Sequence, residues 1–179
     1  MFTYPSIKIE TPRLYLQPLS YEQLQQYLHL DFSLEDGLGL ERYLRSISPA
    51  LLEAFREAIL PAAATAKDDL LYVTLWTIIN KQNNTMVGDL CFKGAPNEAG
   101  EIEIGYGSYP DFCGNGFMTE AVGAIVKWAF QQRGVNTIIA ETGDDNPGSH
   151  KILFKNNFEQ YKQTGKMRWW RLGNFGIKQ

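Results

Sequence analysis

The residues of this 179-residue chain best suited to chemistry lie in one run, Tyr109-Pro110-Asp111-Phe112-Cys113-Gly114-Asn115-Gly116-Phe117-Met118-Thr119-Glu120-Ala121. It reads as a strand end, a glycine-bearing loop and a helix start, because Met118, Ala121, Val122, Ile125 and Ala129 then trace one helical face. The first N–H groups of a helix lack partners within it and sit at the positive end of its dipole, so they form a site for an anion. Gly114 and Gly116 bring no side chain to hold a phosphate away. A phosphate-bearing ligand is the natural occupant, and a plain tight turn is the competing reading. A dinucleotide site would want a third glycine at position 119, which is Thr119, and GxxxxGK[ST] occurs nowhere.

A second run with chemical potential is Glu101-Ile102-Glu103-Ile104, whose carboxylates are candidates for a general base. Period two puts both glutamates on one sheet face and both isoleucines on the other. If the turn from Gly94 to Gly100 sets Lys93 opposite Glu101, then Cys91 falls opposite Glu103. Glu101 gains a counter-charge and Glu103 does not, so Glu103 is expected to hold its proton more tightly and to serve as the base. A solvated carboxylate on an open face is the alternative.

Other chemistries have little material. His29 and His150 are far apart, and Cys91 and Cys113 form no CxxC pair, so neither a metal site nor a disulfide framework is expected. The net charge is -3 without a basic cluster, which argues against a nucleic-acid partner. The longest apolar stretch, Leu70 to Ile79, is about half a bilayer span, so no membrane segment is expected. Met1 to Glu10 lacks the basic start and apolar core of a leader, which makes the cytoplasm the default location. With 44% hydrophobic residues the chain suits one folded domain over residues 1–179.

The elements that must position these residues follow from pattern. Ile7 to Leu19 reads as a strand broken at Thr11-Pro12, and Tyr21 to Leu30 as an amphipathic helix capped by Ser20 with Gln23. Two more helices are predicted, around Leu40 to Ser46 and from Pro49 to about Ala64. Leu70 to Asn80, Met86 to Lys93 and Glu101 to Gly107 form an antiparallel meander. A helix from Gly116 to Gln132, a buried strand from Val135 to Glu141, a short helix from Asn146 to Asn156 and a closing hairpin complete the chain. The fold class is α+β, with a mixed, mainly antiparallel sheet flanked by helices. In the closing hairpin, alternation sends one of Trp169 and Trp170 to the core and the other to the surface, and Trp76 belongs to the sheet core.

The arrangement resembles the acyl-CoA-dependent N-acetyltransferases of the GNAT superfamily, whose pyrophosphate loop reads [QR]xxGx[GA] between a strand and a long helix. Here that loop is Asp111-Phe112-Cys113-Gly114-Asn115-Gly116. Downstream, Asn146-Pro147-Gly148-Ser149 and Lys155-Asn156-Asn157-Phe158 are similar to the family's N-x-x-[AS] helix start and K-x-G-F ending. Glu10-Thr11-Pro12-Arg13-Leu14 looks like the ribosomal-protein N-acetyltransferase branch. The resemblance spans residues 9 to 170.

By that resemblance acetyl-CoA is the acyl donor and no metal is needed. The amides of Cys113, Gly114, Asn115, Gly116 and Phe117 would hold the pyrophosphate. The backbone of Ile104, Tyr106 and Ser108 would pair with pantetheine as an added strand. Asn146 would bond pantetheine or the acetyl region, and Ser149 would sit by the thioester sulfur, unless both simply cap the last helix. Tyr106 is a candidate wall of the acetyl pocket. Relatives shape the acceptor pocket from the segment Asp31 to Lys67, so Phe32, Tyr43 and Phe55 are candidates there.

Three positions depart from the family pattern. Asp111 replaces Gln or Arg, Leu153 stands where many relatives carry a thiolate-protonating tyrosine, and Asn157 replaces the glycine before Phe158. A thiol titrates near pH 8.5, so its thiolate lies about 2 kcal/mol from balance at pH 7, which water or Ser149 can cover. Keeping an α-amine neutral costs about 1 kcal/mol at pH 7, and a lysine-like amine about 4–5. The implied reaction is direct attack of a primary amine on the thioester, with a protein N-terminus or a small-molecule amine as acceptor. The alternative, prompted by Asp111 and Leu153, is a CoA-binding sensor without turnover. Neither reading excludes a homodimer.

Overall fold

The break at Thr11-Pro12 folds strand β1 (Ile9–Glu10) back on β2 (Leu14–Pro18). The computed structural model describes residues 7–66 and 69–174, so the leader reading at residues 1–6 lies outside the described residues. After β2, α1 (Tyr21–His29) starts at a capping box: the Ser20 hydroxyl accepts from the Gln23 amide, and the Gln23 side chain accepts from the Ser20 amide. Next come α2 (Ser33–Leu38), α3 (Pro49–Ala54) running through a π-helical stretch at Phe55–Ile59 into α4 (Leu60–Thr65), and a single turn, α5 (Leu70–Val73). The strands β3 (Leu75–Asn80), β4 (Thr85–Phe92) and β5 (Glu101–Ser108) form the expected meander. The chain then runs through α6 (Phe117–Phe130), β6 (Thr137–Gly143), α7 (Pro147–Lys155), β7 (Glu159–Thr164) and β8 (Met167–Gly173).

Among the described residues, eight strands form one sheet in the order β1-β2-β3-β4-β5-β6-β8-β7, with β5 and β6 the one parallel pair. One core lies against α6 and α7 and includes Leu90, Ile102, Ile104, Val122, Ile125 and Leu153. The other joins Leu24, Tyr27, Phe55, Leu75 and Tyr109 to the α1–α4 segment. Trp76 is fully buried, and Trp170 is buried with its Nε1 donating to Thr142, while Trp169 stays half-buried beneath Lys162. Among the described residues, no helix is long and apolar enough to cross a membrane.

Three expectations need correction. The helix predicted around Leu40 to Ser46 is absent, because Gly39 closes α2 in a left-handed conformation (φ 68°) and the chain after it is pinned elsewhere. Glu41 donates its amide to Asn84 O, and Asn84 Nδ2 donates to Gly39 O, tying this stretch to the β3–β4 turn. Within it Arg45 turns inward to a buried ion pair with Glu35 (2.8 Å). The strand predicted from Leu70 begins only at Leu75, since Thr74 bonds Leu19 O and leaves residues 70–73 as a helical turn.

The third correction concerns register. Cys91 pairs with Gly105, not Glu103, so Lys93 faces Glu103 and their side chains form an ion pair. Asn97 causes the two-residue slip: its side chain accepts from the amides of Ala99 and Glu101, and its carbonyl from Gly100, so the turn closes further along. The counter-charge belongs to Glu103, and Glu101 is the exposed partner of Asn97.

Candidate active site

The glycine loop leads from β5 into α6. Gly114 (φ 80°) and Gly116 (φ 76°) are both left-handed, a conformation that side chains rarely adopt, and Gly116 is the N-cap of α6 without any side-chain cap. Cys113, Gly114, Asn115 and Gly116 are exposed and Phe117 half-buried, so the loop backbone faces solvent at the positive end of a 14-residue helix. Arg13 braces it from outside: Nη1 donates to Asn115 O (3.0 Å), Nε to Glu120 (2.6 Å), and the guanidinium lies 4.8 Å from the Phe117 ring centre. Against the burial that would raise it, the Thr11 hydroxyl and the Arg13 amide and guanidinium hold the Glu120 carboxyl below its ordinary pKa. Asp111 accepts a hydrogen bond from Tyr43 (2.9 Å).

Beside the loop the sheet splits. The β5–β6 ladder runs only from Glu101–Thr137 to Glu103–Ile139; β6 stays paired with β8 on its other side to Gly143, while β5 continues without a partner on the β6 side to Ser108. Glu103 O accepts from Lys93 N, and Tyr109 N donates to Val87 O, so the odd-numbered residues of β5 turn their main-chain groups toward β4. By alternation, those of Ile104, Tyr106 and Ser108 point into the split. Across it stands the start of α7, where Asn146 Oδ1 accepts from Ser149 N (3.0 Å). The Tyr106 hydroxyl lies 2.7 Å from Ser149 Oγ, and burial pushes the phenol up to about 12. Leu153 is fully buried in the core. Position 153 therefore offers no phenol, and the phenol beside Ser149 is that of Tyr106, on β5.

On the other face of the split lies a cavity of about 860 Å³, whose walls include Tyr27, Ser48, Leu51, Asp89, Tyr106 and Tyr109. Phe55 is fully buried against Tyr27 (5.2 Å), Phe32 lies under Arg42, and Tyr43 stacks on Tyr109 (5.7 Å), so these three stand behind the walls instead of forming them. Asp89 was the functional candidate that sequence reasoning missed. It is 5% exposed, and its Oδ2 accepts from both Tyr27 (2.7 Å) and Tyr109 (2.8 Å). Burial pushes its carboxyl up to about 6, although those two hydrogen bonds and the Arg45 charge pull the other way. A charged residue in an otherwise apolar strand, Met86 to Phe92, was the signal available.

A family model described as an acetyltransferase (GNAT) domain matches residues 13–159. Among curated proteins, the uncharacterized N-acetyltransferase YjdG of Bacillus subtilis is 30% identical over 167 residues, covering 92% of this chain and 96% of that protein. Among solved structures, RimL, a ribosomal L7/L12 alpha-N-protein acetyltransferase in complex with coenzyme A, superposes with a TM-score of 0.65 at 16% identity, covering 93% of this chain and 98% of that one. The ribosomal-protein-S5-alanine acetyltransferase of Vibrio fischeri gives a TM-score of 0.65 at 15% identity, covering 97% and 100%.

Proposed function

This chain belongs to the GNAT acetyltransferase family and is an acyltransferase, and we propose that it moves the acetyl group of acetyl-CoA to a primary amine by direct attack. The split sheet carries this reading, because a strand-like pantetheine arm can complete the ladder that β6 abandons, on the main-chain groups of Ile104, Tyr106 and Ser108. The diphosphate then meets the amides of Cys113 to Phe117, where the two left-handed glycines allow close approach. Asn146, whose Oδ1 is committed to its helix cap, offers its side-chain N–H groups to the arm.

The thioester sulfur comes to lie by Tyr106 and Ser149. A phenol that titrates near 12 stays protonated throughout the working range and can hand its proton to the departing thiolate, relayed through Ser149 Oγ. Asp111 is held by the Tyr43 hydroxyl. Structural likeness to two enzymes whose names state action on ribosomal-protein N-termini or alanine favours a protein α-amine as acceptor. Thiol release from acetyl-CoA over peptide N-termini, amino sugars, amino acids and polyamines tests the reading. Release with at least one amine is expected; CoA binding without release across the panel rejects it.

A further inference from the structure

We propose that Arg13 is a positioning residue for the acyl donor: its guanidinium locks the peptide between Asn115 and Gly116 in the orientation that keeps the Gly116 N–H available to an anion. The inference rests on the acetyl-transfer reading above and adds what holds its diphosphate loop in a binding form. It starts from a cost of the glycines. They allow close approach, but a glycine at position 116 takes positive and negative φ about equally well, so the peptide before it is free to turn over. Turned over, that peptide presents its carbonyl oxygen, and a diphosphate meets an acceptor where it needs a donor.

Arg13 is placed to prevent this. Its Nη1 donates to Asn115 O (3.0 Å). The C=O and N–H of a trans peptide point in opposite directions, so an oxygen held toward Arg13 turns the Gly116 N–H away from it. Among the described residues no group accepts from that N–H, which leaves it for a ligand. The guanidinium also lies against the loop itself, with Nη2 3.5 Å from where a Cβ on Gly116 would stand and the central carbon 4.8 Å from the Phe117 ring centre.

The lock is itself anchored on two sides. Arg13 Nε donates to Glu120 Oε2 (2.6 Å), in the first turn of α6, and Glu120 Oε1 accepts from the Arg13 amide (2.9 Å) and the Thr11 hydroxyl (2.6 Å). From the β3–β4 turn, Lys81 donates its amide to Arg13 O and its Nζ to Thr11 O. The corner between β1 and β2 is therefore tied to α6 and to the sheet, so the guanidinium stays in place while the loop peptide is asked to turn. It also offsets the Glu120 carboxylate, a charge that would otherwise stand unopposed one turn into the helix that receives the diphosphate. Shielding and locking are separate effects, and experiment can part them.

The test is Arg13→Met, which keeps the apolar stem over Phe117 and removes every donor, made alone and together with Glu120→Gln. In the free proteins, the Gly114 and Gly116 amide resonances are expected to be single and sharp in the wild type and broadened or doubled in R13M. By calorimetry, R13M is expected to bind CoA about 10-fold more weakly, as when the binding form falls to about a tenth of the population. That ratio should hold from about 50 to about 500 mM salt, since a hydrogen-bonded lock is not screened as a bare charge is. In turnover the KM for acetyl-CoA rises with the dissociation constant while kcat stays within about twofold. Sharp glycine resonances and unchanged CoA binding in R13M overturn the inference. So does a loss of binding that disappears at high salt or is restored in R13M/E120Q, because Arg13 would then act only as a shield for Glu120. Resonances disturbed in R13M, in a protein whose wild type binds no CoA, uphold the lock and reject the donor reading instead.

Discussion

The two faces of the split sheet are built on opposite plans. On the face proposed for the acyl donor the available groups are main-chain N–H and C=O groups of β5 and of the loop into α6, positioned by glycines and a helix start. On the opposite face, around the cavity, they are side chains, Asp89, Tyr27 and Tyr109, gathered from α1, β4 and the end of β5. A backbone site constrains only a few residue types at close spacing, whereas a side-chain site tolerates any scaffold that delivers the groups. The first plan suits a donor common to many enzymes, and the second an acceptor that differs among them.

Breaking the backbone plan gives the largest effect. Gly114 has open space around its Cβ position, so Gly114→Val meets no wall, only the strain of φ 80° and the loss of close approach for a phosphate. CoA binding by calorimetry is expected to fall by about 1,000-fold or more, equivalent to about 4 kcal/mol, while far-UV dichroism stays native. Binding within about threefold of wild type would show that the loop is only a turn.

The same contrast explains what could be read beforehand. The loop, the α6 stripe, the Ser20 capping box and the meander repeat local patterns of fixed period, so they were legible. The register of β4 on β5 was not, because it depends on where Asn97 folds its side chain back on Ala99 and Glu101, a choice within one turn that moves every partner by two residues. Arg45 was read as part of a helix because propensity ignores a buried Glu35 ten residues away. Asp89 and Tyr106 draw their meaning from Tyr27, Tyr109 and Ser149, at sequence separations of 62, 20 and 43, which no local pattern encodes.

Stability measures what the side-chain plan costs. The fold binds the Asp89 proton more tightly than the unfolded chain does, with a pKa near 6 against the ordinary 3.8. Its contribution is therefore fully present below about pH 4 and is lost as pH rises through about 6. Asp89→Asn removes that loss, so the variant is expected to match wild type near pH 4 and to exceed it by about 3 kcal/mol above pH 7. Denaturant midpoints across this window provide the check. A constant difference at all pH values would mean that Asp89 is not carrying an uncompensated charge.

Tyr106 sits where the two plans meet, its backbone in the split and its hydroxyl on Ser149. Removing only that hydroxyl, as Tyr106→Phe, leaves the thiolate to find its proton from Ser149 or water, a deficit of about 2 kcal/mol at pH 7. A drop in kcat of about 30-fold with KM for acetyl-CoA unchanged is expected from steady-state kinetics. A change in KM alone would assign Tyr106 to the pantetheine wall and not to proton delivery.

Glu103 sharpens the comparison most, because it is the carboxylate that alternation alone would choose as base. Its partner Lys93 is half exposed, and such a pair in contact with water contributes well under about 1 kcal/mol. Unlike Asp89, Glu103 has a cation opposite it. Glu103→Gln leaves the Lys93 charge unopposed at the cavity rim, where solvent screens it. The expected result is a change in the amine's KM of less than about threefold and an unchanged kcat. A loss of rate that is large at pH 7 and shrinks at high pH would instead make Glu103 the base, and the base would then stand on the strand proposed to hold the donor.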